Sequence, residues 1–211
     1  MKKQILFIAL MLVQIFCGAA MASAQEKYQV GDFYCDDDLM GVVFWVDESG
    51  QHGKVVSITE SPRLRWAVRG WDTKDNNAYD REDGIRNLLQ ISIKGSWMQN
   101  FPAFGWCEEL GGRWYLPAID ELKLLLSAEV RNVVNTTIED ELFQLGGEPI
   151  GGDGSGYDSD GSVYWYWSST EPTEPDQDIP CFAYALTQAG GEETQLDKSG
   201  YRCRVRAVAN F

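Results

Sequence analysis

The chain has 211 residues, of which 24% are charged and 12% are aromatic, and its formal net charge at pH 7 is −14. A field of that sign repels nucleic acid, anionic lipid and sulfated polysaccharide, so it argues against these as partners. It suits cations, neutral sugars or basic protein surfaces, although an acidic surface also serves solubility alone.

Residues 1–24 have the pattern of a signal peptide. Two lysines precede an apolar run over residues 5–16, and Ala22-Ser23-Ala24 is an A-x-A cleavage site. Cleavage there removes two lysines and no acidic residue, so the net charge becomes −16. We expect a secreted, periplasmic or cell-surface protein.

The same segment is a poor membrane anchor. Its apolar run is too short for a good span, and no later segment is apolar enough to cross a bilayer. A lipid anchor on Cys17 is disfavoured because Phe16 is too large for the position before a modified cysteine. We therefore expect no membrane span.

The mature chain fits one domain behind an N-terminal extension over residues 25–40. Its first elements form a β-hairpin, with strands over 42–46 and 55–59 and a polar turn over 48–53. Alternation of apolar residues over 64–68 predicts a further strand.

Helices follow a polar loop over residues 70–84. Asp83 is a candidate N-cap for a helix over 84–91. A second helix over 98–110 should stop at Gly111-Gly112, where glycine can end a helix. Thr137-x-x-Asp140 is a weak capping box for a later helix that ends at Gly146-Gly147.

Another helix should begin at Pro117. Its apolar residues share one face, and its charged residues stay in water. The apolar set is Ile119, Leu122, Leu125 and Leu126, and the charged set is Asp120, Glu121 and Lys123.

The remainder predicts antiparallel strands over 163–168 and 181–186, a glycine-containing turn over 188–193, and a last strand over 201–211. Alternation in the last strand separates an apolar face that includes Cys203 from a face with three arginines. These arginines are Arg202, Arg204 and Arg206. A hairpin, then helices, then antiparallel strands is an α+β arrangement.

Four cysteines remain after signal removal, and an even number in an oxidising compartment favours two disulfides. Three pairings are open for Cys35, Cys107, Cys181 and Cys203. We favour Cys107–Cys203 with Cys35–Cys181, because Cys203 faces the core where the helix carrying Cys107 would pack. A structural zinc site is disfavoured by the absence of Cys-x-x-Cys and the presence of one histidine.

An acidic, glycine-rich loop covers residues 151–162. Asp153, Asp158 and Asp160 place three carboxylates where the backbone can turn tightly, which makes them candidate calcium ligands. The alternative is a flexible, solvated loop.

Several phrases resemble a family of secreted bacterial domains with a C-type-lectin-like fold. They are FPAFGWCEELGGRWYLPAIDEL (101–122), YWSST (166–170) and VRAVANF (205–211), together with the hairpin over 41–58. The family is typified by the C-terminal domain of bacterial collagen-like adhesins and has many members in gut Bacteroidetes-type bacteria.

The resemblance implies a domain over 41–211 with an N-terminal β-hairpin, two to three helices and a C-terminal antiparallel sheet. In such folds a helix cysteine commonly pairs with one on the last strand, in agreement with Cys107–Cys203. The adhesin relatives suggest sulfated polysaccharides as ligands, which the net charge disfavours unless a basic patch formed by the three arginines of the last strand overrides it.

The resemblance also draws attention to the acidic segment over residues 171–178. C-type lectins bind calcium and sugar through a Glu-Pro-Asn or Gln-Pro-Asp tripeptide, and Glu174-Pro175-Asp176 is a hybrid of the two. The usual Trp-Asn-Asp partner is missing, with Gln195-Leu196-Asp197 a weak substitute. The alternative is a proline-rich surface loop.

Aromatic residues near both acidic loops could stack on pyranose rings. Strand alternation places Trp165 and Trp167 on one face. If Trp167 is a core residue, Trp165 shares that side, and the tyrosines of the same strand are the better surface candidates. The candidate ligand-binding residues are Tyr157, Tyr164, Tyr166, Glu171, Glu174 and Asp176.

These features predict a non-catalytic, secreted or surface-associated module that binds a carbohydrate or a cell-surface protein, with calcium as its one candidate cofactor. The alternative is an enzyme. The fold-related formylglycine-generating enzymes use two reactive cysteines and copper, for which Cys181 and Cys203 are candidates. A glycoside hydrolase would instead need a carboxylate pair, which the sequence does not single out.

Overall fold

The computed structural model describes residues 27–173 and 181–211, which form an α+β fold with two antiparallel sheets and five α-helices. The strands are β1 (Phe33–Cys35), β2 (Met40–Val46), β3 (Gly53–Ser57), β4 (Trp165–Trp167), β5 (Phe182–Thr187), β6 (Gly190–Asp197) and β7 (Val208–Asn210). The helices are α1 (Gly84–Ser92), α2 (Trp97–Asn100), α3 (Pro102–Leu110), α4 (Ile119–Leu126) and α5 (Ala128–Thr137). Helix α5 continues into a π-helical turn, Ile138–Leu142, and a 3-10 turn, Phe143–Leu145. None of the helices in the described ranges is long and apolar enough to cross a membrane.

The first sheet has the strand order β1-β2-β3-β7 and contains the predicted hairpin. Val42 lies opposite Val56 and Val43 opposite Val55, so valines of the two strands form one cross-strand pair on each face of the sheet. Strand β1, from the segment predicted as an N-terminal extension, pairs with β2 through Phe33 and Val42. The extension therefore supplies an edge strand to the sheet.

The second sheet has the order β4-β5-β6. The predicted turn over 188–193 is too long, because Thr187 already pairs with Gly190 and β6 begins there. Gly190 and Gly191 have φ values of 72° and 98°, a region that glycine adopts without strain. Strand β6 was missed because its sequence is mostly polar, and only Leu196 among its residues is buried.

The predicted last strand is shorter than expected, since regular pairing is confined to β7. Residues 203–206 instead bridge to the second sheet: the Trp167 amide donates to the Arg204 carbonyl at 3.0 Å, and the Arg204 amide donates to Trp165 at 2.8 Å. Farther on, Val208 pairs with Tyr115. The segment runs from one sheet to the other and is covered on both sides, so alternate residues do not separate into core and solvent faces.

Asp83 caps α1 as predicted, because its carboxylate accepts from the Ile85 amide at 2.9 Å and the Arg86 amide at 3.4 Å. The predicted helix over 98–110 is divided into α2 and α3. Pro102 cannot donate an amide hydrogen bond, and Phe101 before it has non-helical dihedral angles, φ −127° and ψ 74°.

The apolar face of α4 is buried as predicted, but Glu121 on the same helix is buried as well. Its carboxylate accepts from the Ala118 amide at 2.7 Å and the Gly84 amide at 3.1 Å. The last helix begins at Ala128, earlier than the predicted capping box, and its 3-10 extension ends at Gly146 as expected.

The predicted strand over 64–68 does not form. Only Leu64 makes a bridge, to Cys203, and the amides of Trp66 and Ala67 both donate to the Lys198 carbonyl. Trp66 lies in the core, edge-to-face with Phe104 at a ring separation of 5.0 Å.

Both favoured disulfides are wrong, because Cys107, Cys181 and Cys203 are free thiols. Cys107 Sγ turns back along α3 and donates to the Ala103 carbonyl at 3.4 Å, while Cys203 is held against Leu64 by a β-bridge. Cys107 and Cys203 pack in the same apolar cluster. Reduced cysteine serves well as a small buried apolar residue, so their inward direction alone did not indicate a bond.

Candidate functional site

Two open clefts share the loop over residues 151–162. The larger cleft has a volume of about 580 Å³ and the smaller about 390 Å³. The larger is lined by Arg63, Ser162, Val163, Trp165, Thr194, Leu196, Gly200, Tyr201 and Arg202. The smaller is lined by Glu60, Glu148, Pro149, Gly152, Asp153, Ser155, Tyr157, Asp158, Ser159, Tyr164 and Arg204.

The larger cleft combines aromatic and cationic side chains on the second sheet. Trp165 on β4 and Leu196 on β6 pack against the core, which makes this part of the wall rigid. Tyr201, 49% exposed, and the exposed Arg202 follow the turn after β6. The wall therefore offers flat apolar faces beside hydrogen-bond donors.

Arg63 links the larger cleft to the acidic loop. Its guanidinium binds the Asp160 carboxylate and the Ser162 hydroxyl. Asp160 in turn accepts from the Ser162 hydroxyl at 2.6 Å and the Ser162 amide at 3.0 Å. These hydrogen bonds from Ser162, with Arg63 nearby, hold the pKa of Asp160 below its usual range. Arg63 is thus oriented and partly neutralised at the cleft.

Asp158 is buried between the two clefts and is paired with arginine. Arg204 Nε donates to Asp158 Oδ1 at 3.0 Å, and Arg63 Nε lies 3.9 Å from Asp158 Oδ2. The Arg204 guanidinium also lies over the Tyr164 ring, 4.8 Å from its centroid.

The calcium expectation does not match this arrangement. Asp158 and Asp160 are occupied by arginines, and the exposed Asp153 accepts from the Ser155 amide at 2.9 Å. In residues 27–173 and 181–211, no group of three metal-ligating side chains is arranged to hold a metal ion. Aspartates spaced along a glycine-rich loop are able to gather around one metal ion, but the spacing alone does not bring them together.

Tyr164 and Tyr166 are buried rather than exposed, which corrects the predicted strand phase. Both hydroxyls donate to the Glu60 carboxylate, and the buried Arg206 approaches the same carboxylate at 3.3 Å. Burial, reinforced by the negative charge of Glu60, raises the pKa of both tyrosines. Trp167 is buried as expected, but Trp165 is partly exposed. These tyrosines hold the sheets together.

The other candidate residues are dispersed. Tyr157 is 56% exposed at the smaller cleft, whereas Glu171 is buried and bound to Lys198. Glu174 and Asp176 lie outside the described residues. Among the described candidates for ligand binding, Tyr157 is therefore exposed, whereas Tyr164, Tyr166 and Glu171 are buried.

The three arginines of the last strand do not form the basic patch that a sulfated ligand would require. Arg204 pairs with Asp158 and Glu60, and Arg206 is fully buried against Glu60 and the carbonyls of Ser57 and Glu148. Of the three arginines, only Arg202 is exposed.

Sequence reasoning missed Arg63 and Tyr201 as residues of the larger cleft, and it grouped Trp165 with the core. The turn before Tyr201, with a glycine at position 200, could have indicated exposure of the next two residues. Nothing local connects Arg63 with them, because that contact depends on the tertiary fold.

No family model matches the chain, and no curated protein matches it significantly. The fold is similar to that of a fimbrial protein from Bacteroides ovatus ATCC 8483, known from a crystal structure. The TM-score is 0.55 at 16% sequence identity, and the match covers 87% of this chain and 49% of the other. The chain therefore spans about half the length of that protein, and at this identity the likeness concerns the fold.

This comparison corrects the resemblance to C-type-lectin-like domains of collagen-like adhesins. No family model supports it, and the structural similarity is to a fimbrial protein. The phrases that carried it consist largely of buried positions, among them Leu116, Trp167 and Val205. Such positions reflect core packing, which unrelated α+β domains can share.

Proposed function

We propose that the protein is a non-catalytic, surface-associated binding module of the adhesion type, and that the larger cleft binds a neutral carbohydrate. Three features support this: the fold likeness to a fimbrial protein, the signal-peptide pattern over residues 1–24, and the chemistry of the cleft. The observation that carries the proposal is the meeting of Trp165 and Tyr201 with Arg63 and Arg202 in one open cleft.

Sugar rings present apolar C–H faces and hydroxyl edges, so a site needs flat aromatic surface with polar groups beside it. Trp165 is held by the core, which limits the ordering cost of binding. Arg63 and Arg202 supply donors for hydroxyl groups, and Thr194 adds a hydroxyl from β6. The cleft meets both requirements on a rigid sheet.

The charge distribution favours a neutral sugar over an anionic one. Asp160 neutralises much of the charge of Arg63, and the whole chain carries −14. A sulfated ligand would approach against that field with Arg202 as its main counter-charge.

Tyr157 extends the proposed surface on the other side of the acidic loop. It is 56% exposed and lines the smaller cleft. In this proposal Tyr157 contacts a longer glycan beyond the unit that stacks on Tyr201, while Tyr164, Tyr166 and Glu171 support the fold beneath.

A glycan array followed by calorimetry tests the proposal. Removal of the aromatic face by Tyr201→Ala should weaken binding of the selected neutral glycan about tenfold or more, equivalent to about 1.4 kcal/mol. Phe143→Ala is the matched control, because Phe143 is 63% exposed and lines neither cleft.

Two outcomes would contradict the carbohydrate assignment. One is an array without a bound neutral glycan, together with saturable binding to a cell-surface protein. The other is a glycan whose affinity is equal for the wild type and the Tyr201→Ala and Arg202→Ala variants.

A further inference from the structure

A lysine, a glutamate and an asparagine meet in the interior, away from both clefts. The side chains of Lys198 and Glu171 are 0% and 3% exposed, and Asn76 is fully buried. Lys198 follows β6, Glu171 lies after β4, and Asn76 belongs to the long loop before α1. Three distant parts of the chain therefore place an amine, a carboxyl group and an amide in one site.

The amine and the amide share their hydrogen-bond acceptors. Lys198 Nζ and Asn76 Nδ2 both donate to Glu171 Oε1, the second at 2.8 Å. Both also donate to the Lys74 carbonyl, at 3.3 Å and 2.8 Å respectively. Two nitrogens bound to the same two oxygens are close neighbours, so the amine lies beside the amide group of Asn76.

Glu171 is held rigidly between them. Its Oε2 accepts from the Asn76 and Ala78 amides, each at 3.0 Å. Asn76 Oδ1 is buried and has no hydrogen-bond partner among the described residues. A buried carbonyl without a donor is costly in a folded protein and calls for an explanation.

The surroundings make loss of a proton from the Lys198 amine less costly than it is in water. Lys198 Nζ lies 4.8 Å from the centroid of the Trp66 ring, in the wall of the apolar core. Burial lowers the pKa of Lys198, although the negative charge of Glu171 acts in the opposite direction. A desolvated lysine of this kind is a nucleophile.

We propose that Lys198 and Asn76 form an intramolecular isopeptide bond, with Glu171 as the proton carrier. The proposal does not depend on the carbohydrate function. It assigns chemistry to three buried polar groups that neither cleft uses.

The reaction balances without a co-reactant. Proton transfer from Lys198 Nζ to Glu171 produces a neutral amine and a carboxylic acid. The amine attacks Asn76 Cγ and negative charge develops on Oδ1, while the Glu171 acid lies at Nδ2, the nitrogen that will leave. Nζ then loses a further proton and Nδ2 gains one through Glu171, the Cγ–Nδ2 bond breaks, and ammonia leaves. The product is an Nζ–Cγ amide, and the proton that Glu171 first took from Lys198 leaves with the ammonia as an ammonium ion, which regenerates the Glu171 carboxylate.

A second triad in the same chain provides an internal comparison. Lys54 Nζ donates to Glu121 at 2.6 Å and to Asn210 Oδ1 at 3.0 Å. Here Asn210 is exposed and the Lys54 side chain is 20% exposed, so this amine is less desolvated than that of Lys198. The residue types are the same but the burial is weaker, and we expect no bond at this site.

Peptide mapping of the purified, folded chain tests the proposal. Trypsin cannot cleave after a Lys198 whose amine is acylated, so the wild type should yield peptide 75–81 joined to peptide 132–202, with the loss of one ammonia. Lys198→Arg keeps a positive charge beside Glu171 but cannot form the bond, and its peptides should be separate. Asn210→Ala should retain the cross-link.

Asn76→Asp is a second test, and it leaves the buried pair of Lys198 and Glu171 in place. It should yield the same linked peptides with loss of water in place of ammonia. Cleavage after Lys198 in the folded wild type, with peptide 75–81 recovered alone, would overturn the proposal. Loss of ammonia from an unlinked Asn76 peptide would also overturn it, because that result indicates a cyclic imide.

Discussion

Cys107 and Cys203 behave at the residue scale as small apolar side chains. Each is 1% exposed, and burial raises the pKa of both thiols well above the usual range. Cys181 is half-buried at the start of β5, and its pKa is raised by a smaller degree of burial. The three thiols should therefore differ in reactivity, which depends on the thiolate and on access.

Alkylation near pH 8 should modify Cys181 faster than Cys107 or Cys203 in the folded protein. In urea without reductant, all three should react, and mass spectrometry of the peptides identifies each site. A Cys107 or Cys203 peptide that reacts only after reduction would show that the thiol is in a disulfide.

The same pKa shifts predict the direction of a pH effect on stability. A thiol whose pKa is higher in the folded state contributes stability below its unfolded pKa, about 8.5, and loses that contribution as pH rises. The free energy of unfolding should accordingly fall above about pH 8.5.

Among the secondary-structure elements, the helical region is divided at Pro102, and Gly105 allows the two resulting helices to pack closely. Pro102 separates α2 from α3, and α3 then folds back against the end of α2. Gly105 lies at this contact, where a Cβ atom would meet the Met98 carbonyl oxygen at 2.5 Å. The close approach of two backbones requires glycine within a helix, where alanine is otherwise preferred.

Gly105→Ala should therefore destabilise the protein. Alanine would gain up to about 1 kcal/mol of helix propensity, but relief of the clash should cost about 1–3 kcal/mol more than that gain. Urea denaturation gives the difference. Gly112→Ala is the control, because its Cβ would meet nothing closer than Glu108 Oε1 at 3.9 Å. Equal stability of the Gly105→Ala variant and the wild type would mean that the two helices are not in close contact.

At the scale of the whole molecule, a buried polar cluster joins the two sheets. Glu60 follows β3 of the first sheet and Tyr166 lies in β4 of the second, and Arg206 lies between them on the connecting segment. Arg206 also donates to the Ser57 carbonyl at 3.0 Å. Removing one partner of such a cluster leaves a buried charge without compensation.

Arg206→Ala should reduce the free energy of unfolding by about 3–5 kcal/mol, the range for loss of one partner of a buried ion pair. Arg202→Ala, four residues earlier and exposed, should change it by no more than about 0.5 kcal/mol. Denaturant unfolding measures both variants. Similar small effects in the two would show that Glu60 is solvated and does not hold the sheets together.

The features that depend on near neighbours can be predicted from the sequence. The β2–β3 hairpin, the Asp83 cap and the apolar face of α4 follow from alternation, capping and helical periodicity, which act within a few residues. The polar β6 and the division at Pro102 are also local features. Strand β6 has little apolar alternation, and Pro102 lies within an apolar run that resembles one continuous helix.

Which polar groups are buried depends on contacts between distant segments of the folded chain. Arg206, Glu121 and Glu171 look like surface residues in the sequence, because the cost of burying a charge is offset only by partners from distant segments. The larger cleft has the same origin, since Arg63 and Tyr201 meet only after the chain has folded. Local patterns thus specified the elements, while long-range hydrogen bonds and ion pairs specified the interior and the candidate site.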